Sequence, residues 1–272
     1  MGERLRLSGL LGPPLAWLVI AYLGSMAVLL LSAFWSRNTF TGQVVQTYTV
    51  GNLLEAFSSP VTWAVTARTV GIAVAVTAID AVIAIPIGLA MAKVVSARAR
   101  LVLVVAVTTP LWASYLVKAY AWRVLLAPDG PLSFLGAAPE YGIGATIATL
   151  AYLWLPYMLL PVFAGFEREP DSLFEASADL GASTLTTLRS VVLPLVLPAV
   201  VAGSIFTFSL SLGDYIAVGI VGGRTQVLGT LIYGQLVTAN NQPLAASLSL
   251  IPLAAIALYL AAIGRTGALE NV

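Results

Sequence analysis

The stretch EASADLGASTLTTLRSVVLP, Glu175–Pro194, lies between long apolar runs, yet acids gather in it and just ahead of it. Of the 12 Asp and Glu in the chain, Glu167, Glu169, Asp171, Glu175 and Asp179 fall in this short region. Pro170 suits the first turn of a helix, with Asp171 and Ser172 as candidate caps. Leu173, Phe174, Ala178 and Leu180 then recur at helical spacing, which predicts an amphipathic helix. Gly181 ends it, either as a C-terminal cap or as a point of close packing. A second short helix follows through Leu185 and Leu188, and Pro194 and Pro198 bend the entry to the next apolar run. A helix–Gly–helix unit with apolar knobs and exposed acids is a docking surface in one reading and a solvated connecting loop in the other.

The rest of the chain explains why such a loop stands out. Of 272 residues, 59% are hydrophobic and only 9% charged, with a mean hydropathy of +0.95. Soluble domains carry roughly 25% charged residues, so this is an integral membrane protein. A net charge of +1 carries no signature of nucleic-acid binding. With no His and no Cys, thiolate and imidazole metal sites, Cys or Ser–His nucleophiles and His proton relays are excluded. No catalytic residues and no metal site are expected.

Six apolar segments lie near Pro13–Trp35, Val61–Ala92, Leu101–Leu126, Ile143–Phe166, Val191–Ile216 and Leu244–Gly264. None alternates apolar and polar residues as barrel strands do, so each reads as a helix. The expected fold is an all-α, six-helix transmembrane bundle forming one domain over 1–272. The run Leu15–Trp35 exceeds the apolar core of a secretory signal and is read as an uncleaved first span. Val50–Phe57, in the loop Ser36–Pro60, is a candidate short surface helix. Orientation follows the distribution of Lys and Arg. With both termini in the cytoplasm, Arg4, Arg6, Lys93, Arg98, Arg100, Arg168, Arg189 and Arg265 lie inside. The smaller set of Arg37, Arg68, Lys118, Arg123 and Arg224 lies outside or at outer ends. The acid-rich loop then faces the cytoplasm.

The pattern Glu175-Ala176, Gly181, Val191, Leu193-Pro194 resembles the EAA loop of ABC importer permeases, with Val191 where Ile is usual and Ser177 where a second Ala often stands. The stretches Tyr115–Gly136 and Ser211–Leu236, with Gly213-Asp214-Tyr215, resemble spermidine/putrescine-type permeases. So do TARTVGIAVAV and IPIGLAMA in the second segment. The likeness covers roughly residues 60–264. It implies a type I permease fold whose cytoplasmic loop inserts coupling helices into an ATPase. The coupling residues would be Phe174, Glu175, Ala176, Asp179, Gly181, Leu193 and Pro194. It further implies a sister permease, a dimer of ATP-binding cassette ATPases, an extracytoplasmic solute-binding protein and a bacterial cytoplasmic membrane. No Walker motif occurs here, so ATP and Mg would belong to the ATPase and this chain would bind no cofactor. The solute would be a polyamine or another small polar molecule.

Residues that can meet a solute are few. Tyr115, Lys118 and Trp122 share one helix face, with Tyr120 and Arg123 on its flank. They read either as a pathway lining or as an interfacial aromatic belt with snorkelling cations. Asp214, between Gly213 and Tyr215, can attract a cation or hold a helix end through backbone amides. Asp80, alone in the second segment, needs a partner from another span or is a hydrogen-bonded structural acid. Pro86, Gly88, Pro156 and Pro161 read as kinks and close contacts. The rival readings are a secondary transporter or channel acting alone, a membrane anchor without a path, and a membrane-embedded enzyme. The EAA-like loop argues against the first two, and the absence of His, Cys and an intramembrane acid pair against the third.

Overall fold

The computed structural model describes residues 11–38, 40–133 and 141–265, excluding the side chains of Ala178 and Thr184. Arg4 and Arg6, on which the orientation draws, lie outside the described residues, as do 134–136 at the end of the Tyr115 stretch. The elements run in order as α1 (Leu11–Ser32), β1 (Trp35–Arg37), β2 (Val44–Tyr48), α2 (Gly51–Ser58) and α3 (Pro60–Val94). Then follow α4 (Ala97–Trp112), α5 (Tyr115–Leu125), α6 (Ile143–Arg168), α7 (Ser172–Asp179) and α8 (Thr184–Thr187). The chain closes with α9 (Leu193–Gly213), α10 (Ile216–Val221), α11 (Leu228–Tyr233) and α12 (Gln242–Gly264). Among the described residues five helices are long and apolar enough to cross a membrane, and α4 with α5 makes a sixth, broken span. The expected all-α transmembrane architecture is therefore present.

The break corrects the single third span expected from Leu101–Leu126. The two legs meet at 99°. Ala113 and Ser114 leave the helical region, with ψ of 143° and 133°. Pro110, one turn earlier, already lacks an amide hydrogen for the ladder. The hairpin β1–β2 was also not foreseen. It pairs antiparallel with an irregularity between Trp35 and Ser36, and its turn is built by Asn38, whose Oδ1 accepts from the amides of Phe40 and Thr41. The short surface helix expected near Val50–Phe57 is α2.

The chain packs as two compact units. One gathers the described residues of Met1–Ala64 with Leu231–Leu253. There Asn52 Nδ2 donates to the carbonyls of Ala33 and Trp35 at 3.0 and 2.7 Å, and Ser247 Oγ donates to Ala33 at 3.3 Å. The other gathers Val65–Thr230 with the described residues of Ala254–Val272. Its α6 and α9 form the most extensive helix pair. Small residues bring them close. A Cβ on Gly203 would lie 2.8 Å from Met158 Sδ, and one on Gly165 would lie 2.8 Å from Ala199 Cβ. Two apolar clusters lie along this unit. One joins Ile72, Val76, Ala119, Leu150, Leu153 and Val218; the other joins Ala84, Met91, Met158, Val162, Phe166 and Val196. Asp80 stands on α3 between them in sequence, fully buried, with neither carboxylate oxygen hydrogen-bonded among the described residues.

The glycine packing gives a direct test. Gly203→Val forces a branched side chain against Met158 and should cost about 1–3 kcal/mol, read as a lower melting temperature in detergent. Gly71→Ala, where nothing lies within 4 Å of the added carbon, should leave melting unchanged or raise it. Equal melting of Gly203→Val and the parent chain would contradict the close α6–α9 crossing.

Candidate functional site

The opening loop folds as two short helices around a glycine. α7 ends in a left-handed residue: Gly181 has φ +69°, and the Ala182 amide donates back to the Ser177 carbonyl at 3.1 Å. This is a Schellman-type helix end, in which the residue after the cap must adopt positive φ. Nothing lies within 4 Å of a Cβ placed on Gly181. Of the two sequence readings, the structure therefore gives the cap and not the packing point. Ser183 starts α8 by accepting from the Thr186 amide at 3.3 Å. Ser177 Oγ and Thr187 Oγ1 bond at 2.8 Å and tie the two helices together.

The two faces of this unit differ. Phe174 is half-buried against the cluster of Met91, Val162, Phe166 and Val196, and so points inward. Leu180 is 87% exposed and Leu185 56%, while Glu175, Ala176 and Asp179 are also exposed. The outward apolar knobs are thus Leu180 and Leu185, flanked by two carboxylates. Asp171, expected as a cap, offers its backbone carbonyl to the Phe174 and Glu175 amides at 3.0 and 3.2 Å, and its side chain goes elsewhere. α8 runs through a π turn, Leu188–Val192, into α9 with no break. Pro194 has no amide hydrogen, and the helix continues across it behind the wider turn. Leu193 and Pro194 are exposed beside a groove that also includes Ile85, Arg189, Val196 and Val200.

The other candidate residues divide. A cavity of about 320 Å³ is lined by Tyr115, Trp154, Ser209, Leu210, Gly213, Asp214, Tyr215 and Ile216. It unites Tyr115 with Asp214 and Tyr215, but not with Lys118 or Trp122. Tyr115 donates its hydroxyl to Asp214 Oδ2. Asp214 Oδ1 accepts from the Ala217 amide at 2.9 Å in the first turn of α10. Asp214 is 8% exposed, and its carboxylate fastens α5 to α10 at the wall of the cavity. Of the two sequence readings of Asp214, this geometry is the helix-holding one.

Trp154 was missed by sequence reasoning, which named only Pro156 and Pro161 on this helix. Its ring stacks on Tyr115 at 5.9 Å, and Tyr157 and Phe206 extend the series at 6.0 and 6.2 Å. Trp154 Nε1 is buried without a partner among the described residues. Only the i, i+3 spacing of Trp154 and Tyr157 signalled this row. Trp122 instead packs on Tyr152 at 5.5 Å and against Leu126, Ala145 and Val221. Lys118 is half-buried, and its ammonium has no hydrogen-bond or ion-pair partner among the described residues. Arg123 is structural: a terminal nitrogen donates to the Ile220 carbonyl at 3.2 Å near the end of α10, and its guanidinium lies 5.4 Å from the Tyr141 ring. Among the described residues no group of His, Cys, Asp and Glu is placed to hold a metal ion.

The Tyr115–Asp214 bond makes a prediction. Tyr115→Phe should destabilise the chain in detergent by about 1–2 kcal/mol, and adding Asp214→Asn should cost little more, because both remove one bond. Fully additive losses would mean that the two side chains act separately.

Residues 84–265 match the model of the family described as binding-protein-dependent transport system inner membrane component. The inner membrane ABC transporter permease protein YdcU of Escherichia coli (strain K12) is 43% identical over 282 residues, covering 96% of this chain and 89% of that protein. The spermidine/putrescine transport system permease protein PotB of Haemophilus influenzae is 26% identical over 249 residues, covering 86% of this chain and 85% of that one. The fold is similar, with a TM-score of 0.75, to a chain in the crystal structure of a bacterial alginate ABC transporter in complex with alginate pentasaccharide-bound periplasmic protein. That match is 14% identical and covers 98% of this chain and 95% of that one.

Proposed function

Because the chain belongs to the binding-protein-dependent transport system inner membrane components, we propose that α7–Gly181–α8 is where this ABC importer permease receives the motion of its ATPase. The observation that carries this is the exposed pair Leu180 and Leu185, which follow the exposed acids Glu175 and Asp179 on a loop capped at Gly181. Apolar knobs left in water beside charges suit insertion into a groove on a soluble partner. Glu175, Ala176, Asp179 and Gly181 form or position that outward surface. Phe174 supports it from behind, and Leu193 and Pro194 flank it at the start of α9. The loop faces the cytoplasm in this reading, with both termini on the same side.

A multi-pass inner-membrane chain of this kind forms half of a pathway, completed by a sister permease. A pair of ATPase subunits supplies ATP hydrolysis, and a solute-binding protein delivers cargo at the opposite face. Closure of the ATPase pair draws the two coupling loops together and opens the path outward. The cavity beside the Tyr115–Trp154–Tyr157–Phe206 row is this chain's contribution to the path. Faces of Tyr115, Trp154 and Tyr215 can hold an alkylammonium group at about 0.5–2 kcal/mol per ring. This supports a polyamine-class solute, in keeping with the name of the PotB relative.

Two measurements test the reading. Gly181→Val must hold a β-branched residue at φ +69°, a conformation that costs L residues about 1–2 kcal/mol. In reconstituted vesicles with its ATPase, sister permease and binding protein, ATP hydrolysis should persist while uptake falls about tenfold. Gly181→Asn, which tolerates positive φ, should keep most uptake; equal uptake by Gly181→Val and the parent chain would sink the coupling assignment. Radiolabelled spermidine, putrescine and an alginate oligosaccharide then separate the solute classes. ATP-dependent accumulation of a polyamine supports the reading, and accumulation of the acidic oligosaccharide alone rejects it.

A further inference from the structure

The acids ahead of the coupling loop have specific partners. Lys93, in the last turn of α3, donates to Asp171 Oδ1 at 2.7 Å and to the Glu169 carbonyl, and its ammonium lies 5.7 Å from the Phe174 ring. Arg100, in the first turn of α4, divides its fork of donors. Nε reaches the Met91 carbonyl at 3.0 Å, Nη2 the Ala92 carbonyl at 2.7 Å, and Nη1 Glu167 Oε1 at 3.0 Å. The carbonyls at a helix end lack intrahelical partners, so Arg100 satisfies the end of α3 while gripping the end of α6.

An exposed ion pair alone contributes only about 0.2–1 kcal/mol. These pairs differ from that case because the cation side chains are only 14% and 32% exposed, and each is also oriented by backbone carbonyls. Two cations on either side of the α3–α4 turn thus grip both ends of the α6–α7 connection. Arg98, Arg168 and Arg189 lie in the same part of the chain, and none forms an ion pair among the described residues.

We infer that Lys93 and Arg100 are positioning residues that clamp the coupling loop to the α3–α4 turn. Through this clamp, displacement of α7 is delivered to α4 as well as to α6 and α9. The inference rests on the coupling role proposed above. α4 has 16 residues and extends roughly 24 Å at about 1.5 Å per residue. It ends at the bend before Tyr115, whose hydroxyl holds Asp214 at the cavity. The clamp, the helix and the Tyr115–Asp214 bond form one continuous connection from the docking loop to the cavity. Neither Glu167 nor Asp171 is required to touch the ATPase; their work is done against Lys93 and Arg100.

The chain contains no cysteine, so a single Leu210→Cys gives an unambiguous reporter in the cavity wall. The complete complex in nanodiscs is treated with a water-soluble maleimide, with and without ATP plus vanadate. In the otherwise unaltered chain, nucleotide should change the labelling rate. In Glu167→Gln/Asp171→Asn that change should shrink by about threefold or more, the scale expected for loss of partly exposed pairs. ATP hydrolysis and recovery of complex should stay at the parent level, and Asp171→Glu alone should keep the full response. An undiminished response in the double variant overturns the clamp, as does a loss that merely follows reduced assembly or hydrolysis. No nucleotide response in the parent chain would refute the coupling role itself and remove the inference with it.

Discussion

Hydrocarbon offers no hydrogen bonds, and a peptide group left unpaired there costs several kcal/mol. Almost every local feature of the membrane helices answers to that constraint. Thr69, Thr77, Thr109 and Ser249 each return a hydroxyl proton to the carbonyl four residues earlier. Pro86, Pro156, Pro161, Pro198 and Pro252 lie inside helices that nevertheless continue. Where the ladder changes register, as at Ala90–Val94 and Leu188–Val192, it widens to a π turn rather than opening. Among the described residues, helix ends carry irregular backbone at the bend at Ala113–Ser114, the cap at Gly181 and the turn at Asp214.

Those ends are also where the chemistry gathers. With 9% charged residues in the chain, the ion pairs among the described residues fall at one site, where α3, α4, α6 and α7 meet. The concentration of acids near Glu175–Pro194 thus has two explanations. Glu167 and Asp171 hold the loop to the body of the protein, while Glu175 and Asp179 remain on its outer face beside Leu180. One end of α6 carries this assembly. Near the other, Arg123, Tyr141 and the α10 helix end form a second set of polar contacts. Asp80 is the exception, a buried acid whose role the fold does not explain.

Periodicity and run length carried the class of fold, because helices in lipid must be long and apolar. The helix–glycine–helix loop was legible for a related reason: caps and breakers act on their immediate neighbours. Contacts across the sequence were not legible. Nothing in the spacing of Gly181 distinguishes a left-handed cap from a packing point, since only φ separates them. Asp214 had two open readings because its partner, Tyr115, is 99 residues away. Lys93 and Arg100 entered only as topology markers, although they bind acids 78 and 67 residues distant. Phe174 turns inward while Leu173 and Leu180 of the same apolar pattern stay exposed, and helical spacing alone does not say which face the partner receives. The bend before Tyr115 was not inferred although Pro110 and Ser114 interrupt the apolar run, because neither residue alone says where a span breaks.

The central claim is that the face of α7–Gly181–α8 bearing Leu180 meets an ATPase. A photoactivatable amino acid placed at Leu180 in native membranes tests it most directly, with Val82, 70% exposed within the apolar span α3, as the control. Illumination should join the Leu180 position to one protein that mass spectrometry identifies as carrying a Walker motif, and the Val82 position should not capture it. Labelling of Leu180 by lipid or by this chain alone, in membranes that still transport, would contradict the account.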